Sequence, residues 1–272
     1  MLEMETSNIL FAFALTLFAG LATGLGSVIA FFSKRTNEKF LSFSLGFSAG
    51  VMIYVSFIEI VAKAKEYLIA DLGIIKGNSV TALAFFGGMG FIMIIDMLIP
   101  EFENPHEVRR VEDIDIKKVE KQEKLKRMGI FSALAIAIHN FPEGLATFTS
   151  ALTDSNLGIA IAVAIAIHNI PEGIAVSVPV FYSTGSRKKA FGYSFLSGLA
   201  EPLGASIGFL ILMPFMTNTV FGILFAAVAG IMVFISLDEL LPTAQEYGEH
   251  HLAIYGLIAG MIIMAITLIM FL

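Results

Sequence analysis

The stretch AIAIHNFPEG at residues 135–144 returns almost unchanged as AIAIHNIPEG at residues 164–173. Each copy places a His, an Asn, a Pro and a Glu inside an otherwise apolar segment. Ionisable side chains are costly in such surroundings, and they usually mark a functional site. The duplication therefore predicts one site that is assembled from two similar segments of the chain.

The composition places this site in a membrane. Of the 272 residues 57% are hydrophobic and only 15% are charged, which is unlike a soluble domain. A membrane-spanning helix needs about 20 mainly apolar residues, because it must satisfy its own backbone polar groups in lipid. The sequence predicts an all-α membrane protein with eight transmembrane helices. The predicted spans are 8–32, 40–62, 79–100, 128–150, 157–180, 190–212, 217–241 and 252–272.

The longest predicted connection is the polar segment 101–127, between the third and fourth helices. It contains eight acidic and eight basic residues and hardly any apolar ones. We expect it to be a mobile loop within a single transmembrane domain that covers residues 1–272. The chain has no cysteine, which excludes disulfides and thiolate metal sites. It has no basic patch that would favour nucleic acid.

The distribution of Lys and Arg predicts the orientation, because loops rich in these residues stay in the cytoplasm. Fourteen of the 17 fall on one side, in the connections 33–39, 101–127 and 181–189. The other three, in the second predicted loop, are Lys63, Lys65 and Lys76. We therefore expect a multi-pass protein of the inner or plasma membrane, with both termini outside the cytoplasm and segment 101–127 inside it.

The chain also contains a weaker internal repeat. AGVMIYVSFIE at 49–59 matches AGIMVFISLDE at 229–239 at a constant offset of 180 residues. Both repeats pair helices that cross the membrane in opposite directions. They predict an inverted arrangement of three helices, a central pair, and three more. Transporters are commonly built this way, with the substrate site near the midplane.

The spacing within the motif brings its polar side chains together. His139 and Glu143 are four residues apart, and Asn140 and Glu143 are three apart, so they project from one face of a helix. Pro142 has no N–H, which frees the carbonyl group of Ile138 for a ligand. The second copy supplies the corresponding residues His168, Asn169, Pro171 and Glu172, with the carbonyl group of Ile167.

Two imidazoles, two carboxylates and two amides can therefore converge between adjacent helices. No Lys or Arg lies inside a predicted span, so a divalent cation is the natural counter-charge. Imidazole with carboxylate suits zinc, iron, manganese, cobalt or nickel. We expect Glu201 in the sixth helix to face the same site. Gly144 and Gly173 would let a neighbouring backbone approach closely.

These features resemble the ZIP metal-ion transporters over nearly the whole chain. The resemblance rests on the two HNxPEG motifs, on AEPLGA at 200–205, on the polar loop and on the eight helices. It implies a two-metal centre through which metal moves into the cytoplasm. One site would use His139, Glu143, His168 and Glu172, with Met52 from GFSAGVM; the neighbouring site would use Asn140, Asn169 and Glu201. Glu143 and Glu172 would bridge the two metals.

The resemblance also predicts that the chain is not an enzyme. The metal would be a bound substrate rather than a cofactor, with zinc as the first candidate and iron, manganese, cobalt or cadmium as others. The partners expected are these ions and the lipid bilayer, and the sequence allows a homodimer. We expect Glu59, Asp238 and Glu239, near predicted helix ends, to mark the outer and inner mouths.

Other interpretations remain open at this stage. The His and Glu pairs can be polar contacts that hold helices together. Met52 can be ordinary packing, and Glu59 can be solvated at the membrane interface. An intramembrane zinc-dependent metalloenzyme or a metal sensor would use similar ligands, because zinc with a Glu base also serves hydrolysis. Against the enzyme, the chain lacks the HExxH pattern of zinc proteases and divides its ligands evenly between inverted repeats.

Overall fold

The structure is a computed structural model that describes residues 6–32, 38–98, 137, 140–212, 215, 217–247 and 250–270. Within these ranges the chain is nearly all helical and contains no strand, which confirms the all-α prediction. Seven segments of the described ranges are long and apolar enough to cross a membrane, and they match the predicted spans other than the fourth. Residues 128–136, 138 and 139 of that fourth span and the whole of 101–127 lie outside the described residues.

The described helices follow one another with short connections. In chain order they are α1 Thr6–Phe32, α2 Glu38–Val55, α3 Val61–Leu72, α4 Ile74–Leu98, α5 140–153, α6 Ser155–Thr184, α7 Arg187–Gly198, α8 Ala200–Leu212, α9 Asn218–Ile235, α10 Leu241–Tyr247 and α11 His250–Met270. A π-helical turn, Ser56–Ile60, joins α2 to α3 without interruption. A second one, Ser236–Leu240, joins α9 to α10. The two π-helical turns lie 180 residues apart, at equivalent positions of the weaker repeat.

The predicted second loop is wrong. The second span continues ten residues beyond residue 62, and Gly73 alone connects α3 to α4. Gly73 has a φ of 78°, which glycine adopts without strain. Lys63 and Lys65 are therefore helical, and Lys63 pairs with Glu66 at 3.5 Å on the surface. Their charges lower the local hydropathy, although nothing in this segment breaks a helix.

The sixth predicted span is two helices rather than one. α7 ends at Gly198 and α8 begins at Ala200, so the chain breaks at Leu199. Pro202 explains the break, because its ring lacks an N–H and would clash with the carbonyl group of Gly198, four residues earlier. The break leaves Glu201 in the first turn of α8. A carboxylate is favoured there by the helix dipole.

The helices pack as two groups. In the first, α1 packs against α6, α7 and α8. In the second, α2 packs against α11, α9 packs against α3 and α4, and α10 packs against α2. The groups meet where α2 contacts α6. The predicted division into three, two and three helices stays a prediction, as does the single domain.

Candidate metal centre

The second motif lies in the middle of α6. This helix begins at the N-cap Asp154, whose carboxylate accepts hydrogen bonds from the backbone N–H groups of Asn156 and Leu157, at 2.9 and 3.3 Å. It ends at Gly185, which adopts the left-handed conformation with a φ of 62°. The 30 residues between them span about 45 Å, at about 1.5 Å per residue. The motif is therefore near the centre of a membrane-length helix.

Asn169 joins three helices at this point. Its side-chain Nδ2 donates to the carbonyl oxygen of Ala19 in α1, at 2.9 Å. The same amide donates to the carboxylate of Glu201 in α8. The sequence predicted Asn169 and Glu201 in one site, and the structure brings them into contact. The sequence did not identify α1 as a contributor, because Ala19 takes part through its backbone.

Asn140 of the first motif lies against the same helix break. It is fully buried, and its Nδ2 donates to the carbonyl oxygen of Ser197 at 3.3 Å. Ser197 precedes Glu201 by four residues, across the break at Leu199. Carbonyl oxygens only accept hydrogen bonds, so the side-chain nitrogen of Asn140 faces Ser197 and that of Asn169 faces Ala19. Among the described residues, the Oδ1 atoms of Asn140 and Asn169 have no hydrogen-bond donor.

The motif glycines allow the close helix contacts that the sequence predicted. A methyl group added at Gly144 would overlap the backbone of Glu201. A methyl group at Gly173 would overlap the carbonyl oxygen of Thr23 in α1. The hydroxyl of Ser194 reinforces this second contact by lying within hydrogen-bond distance of the carbonyl oxygens of both Thr23 and Gly173, at 3.1 and 3.2 Å. The backbones of α1 and α6 therefore meet without an intervening side chain, and the Ser194 hydroxyl joins α7 to them.

Three glutamate carboxylates of these helices are withdrawn from solvent. Glu143, Glu172 and Glu201 are 1%, 3% and 0% exposed. They come from α5, α6 and α8, so no single helix could supply them. Burying carboxylates in a low-dielectric interior is costly unless a cation or donors compensate. Their oxygens and the amide oxygens are hard donors that suit a divalent metal.

Met52 is buried in α2, one of the helices that pack against α6. It is 0% exposed and belongs to the same hydrophobic cluster as Ile161 and Ile165 of α6. Ile165 precedes His168 by three residues and Glu172 by seven, so all three positions lie on one face of α6. His139 lies outside the described residues, and His168 is described only by its backbone. Among the described residues, no three His, Cys, Asp or Glu side chains come together as a metal cluster.

The acidic residues expected at the mouths are not at helix ends. Glu59 lies in the first π-helical turn, with α3 continuing to Leu72. Asp238 and Glu239 lie in the second, with α10 continuing to Tyr247. The predicted helix ends were therefore wrong, because the charged residues beyond these positions remain helical. The role of the three residues at the mouths stays a prediction. π-helical turns frequently occur at functional sites, and no pattern in the sequence indicated these two.

Comparison with known proteins identifies the family. The family model described as ZIP Zinc transporter matches residues 99–268. The chain belongs to the ZIP zinc transporter family. A protein of Lysinibacillus sphaericus named Zinc transporter ZupT is 66% identical over 264 residues, covering 97% of this chain and 98% of its own. Proteins with the same name from Clostridium perfringens and Streptococcus mutans are 61% and 64% identical, covering 97% and 96% of this chain and 97% of their own.

Membership of the ZIP family confirms the predicted resemblance. The chain is a multi-pass membrane protein of a family of transporters rather than enzymes, and its metal is a transported substrate rather than a cofactor. The interpretation as an intramembrane metalloenzyme therefore loses its basis.

Proposed function

We propose that this chain carries divalent transition-metal ions into the cytoplasm through a two-metal site near the membrane midplane. Zinc is the first candidate, since the relatives are named zinc transporters. Iron, manganese, cobalt and cadmium suit the same donors. The observation that carries the proposal is the contact between Asn169 and Glu201, and the burial of the Glu143 and Glu172 carboxylates supports it.

The proposed ligands divide into two neighbouring sets. His139, Glu143, His168, Glu172 and Met52 would hold one ion, and Asn140, Asn169 and Glu201 would hold the second. Glu143 and Glu172 would bridge the ions. The orientation of the amides supports the second set. The side-chain nitrogens of Asn140 and Asn169 donate to backbone carbonyl groups, which leaves their side-chain oxygens to bind a cation.

Equivalent contacts in the two copies of the weaker repeat support the inverted arrangement. The hydroxyl of Ser42 donates to the carbonyl oxygen of Ala244 at 2.6 Å. Gly222 lies against the carbonyl oxygen of Ala64. Adding 180 to residues 42 and 64 gives 222 and 244, so the repeat operation exchanges the two contacts. A twofold axis between two copies produces such reciprocal pairs.

Gly50 and Gly230, which are equivalent positions of the weaker repeat, each lie against the backbone of another helix. Gly50 of α2 lies against Leu257 of α11, and Gly230 of α9 lies against Phe85 of α4. These two close backbone contacts both hold helices together within the second group. We propose that the two groups tilt against each other at the α2 and α6 contact, which would open the site to each side in turn.

The orientation that we propose follows the Lys and Arg distribution, with both termini outside. Glu59 would then face the outer side of the site, and Asp238 and Glu239 the inner side. A homodimer is a further proposal. Light scattering on the detergent-solubilised protein tests it, and accessibility of tags added at either terminus of intact cells tests the orientation.

The transport experiment uses purified protein in liposomes. Wild-type protein should accumulate zinc, whereas Glu143→Gln and Glu172→Gln should not, although both should insert and remain monodisperse. Iron, manganese, cobalt and cadmium, tested in turn, give the metal preference. Near-normal uptake by either variant would contradict the bridging role. Binding of zinc by the wild type without uptake would contradict transport and favour a metal sensor.

A further inference from the structure

Three buried hydroxyl groups are exceptions to the pattern of hydrogen bonds among the described helices: that of Thr23 in α1, and two in α2 and its π-helical turn. Ser48 and Ser56 are 0% exposed, and among the described residues their Oγ atoms have no hydrogen-bond partner. Hydroxyls within helices usually donate to a carbonyl group three or four residues earlier. Many do so here, including Thr16, Ser27, Thr147, Thr149, Ser177, Ser206 and Ser236.

The repeat supplies an internal comparison. Ser236 is equivalent to Ser56 and begins the second π-helical turn. Its hydroxyl donates to the carbonyl oxygen of Met232 at 2.7 Å. Ser56 has the same local option in the carbonyl group of Met52 and does not use it. The position equivalent to Ser48 is Val228, which has no hydroxyl group. At these two positions the unpartnered hydroxyl groups therefore occur in the first copy of the repeat and not in the second.

Both hydroxyls lie on the same face of the helix as Met52. Ser48 and Ser56 are four residues before and four after Met52, which places the three side chains in a row over about 12 Å. Gly50 faces α11, and Ser48 and Met52 are each two residues from it, or about 200° around the helix. The row therefore points away from α11. α6 is one of the helices that pack against α2, and Met52 shares a hydrophobic cluster with Ile161 and Ile165 of α6.

An unpaired hydroxyl in a membrane interior costs free energy that a back-bonded one does not. Here two such groups flank a candidate metal ligand along one face. A cation that has shed water needs oxygen donors as it moves, and neutral hydroxyls bind it without holding it as strongly as carboxylates. We propose that the Ser48 and Ser56 hydroxyl oxygens contact the metal ion as it passes Met52, one turn to either side. The proposal rests on the proposed transport function.

The first test compares three alanine variants in liposomes. Ser48→Ala and Ser56→Ala should lower the maximal rate of zinc uptake roughly tenfold, the effect of losing one polar contact to a charged group. Equilibrium zinc affinity should remain that of the wild type, because the midplane ligands are intact. Ser236→Ala is the matched control and should transport normally. Wild-type rates in both Ser48→Ala and Ser56→Ala, or an equal loss in Ser236→Ala, would overturn the proposal.

The second test uses the absence of cysteine from the natural chain. Ser48→Cys and Ser56→Cys each introduce the only thiol of the protein. Cadmium should slow the reaction of that thiol with a maleimide in both variants and should not do so in Ser236→Cys. Equal reaction rates with and without cadmium in all three would contradict the proposal. If the wild type itself takes up no zinc, the transport function fails; if it does and only these tests are negative, the hydroxyl contact alone fails.

Discussion

Replacing Gly144 by alanine should stop transport without unfolding the protein. Gly144 lies where α5 crosses the first turn of α8, and an added methyl group would overlap three backbone atoms of Glu201. Restoring a separation of about 3.5 Å from the nearest of these atoms, the carbonyl oxygen, requires the two helices to move apart by roughly 1.5 Å. Such a movement carries the Glu201 carboxylate away from Asn169 and from the α5 carboxylate of Glu143.

The stability change should be small because two effects oppose each other. Overpacking costs about 1–3 kcal/mol. Alanine in place of glycine within a helix returns about 1 kcal/mol. The effect on function should be far larger, since a displacement of about 1 Å at a preorganised site can cost about 100-fold in rate.

The measurement is initial zinc uptake in liposomes, together with thermal unfolding followed by circular dichroism. Gly87→Ala provides the matched control, because Gly87 is also helical and has no heavy atom within 4 Å of an added methyl group. It should transport normally and unfold at the same or a higher temperature. If Gly144→Ala transports zinc as fast as Gly87→Ala, the close contact between α5 and α8 does not position the site.

Three further outcomes follow from the same contacts. Asn169→Ala removes the hydrogen-bond donor to Ala19 and to Glu201. Zinc affinity measured by calorimetry should therefore fall at least tenfold, or about 1.4 kcal/mol. Unchanged affinity would exclude Asn169 from the site. Asp71→Ala removes bonds from the backbone N–H and hydroxyl of Thr219 at the start of α9, and should lower the free energy of unfolding by about 1 kcal/mol while leaving zinc affinity intact. Zinc uptake should decline as the pH is lowered through about 6 to 7, the range in which histidine ordinarily titrates. The reason is that the imidazoles must be deprotonated to bind metal. A flat profile of uptake rate against pH would contradict imidazole ligation.

The sequence predicted the membrane architecture because it depends on local properties. Apolar length identifies helices, and it located the described spans to within several residues at most ends. It failed where polar residues continue a helix, as in α3 beyond Lys63. It also treated the sixth span as continuous, although Pro202 carried the signal for the break at Leu199.

The polar residues of the site were also visible in the sequence, because their burial in apolar segments is unusual. Their partners were not. The carbonyl groups of Ala19 and Ser197 act through the backbone, which any residue type could supply at those positions. The π-helical turns depend on packing between distant helices, so Ser56 and Ser236 looked alike until their hydroxyls could be compared.

The central claim is that the two duplicated motifs together hold the transported ion. The most direct test is zinc uptake and zinc stoichiometry of the His139→Ala, His168→Ala double variant in liposomes, measured beside the wild type. The account predicts that the wild type accumulates zinc and that the double variant inserts normally, binds at least one ion fewer and takes up none. Wild-type uptake by the double variant would contradict it.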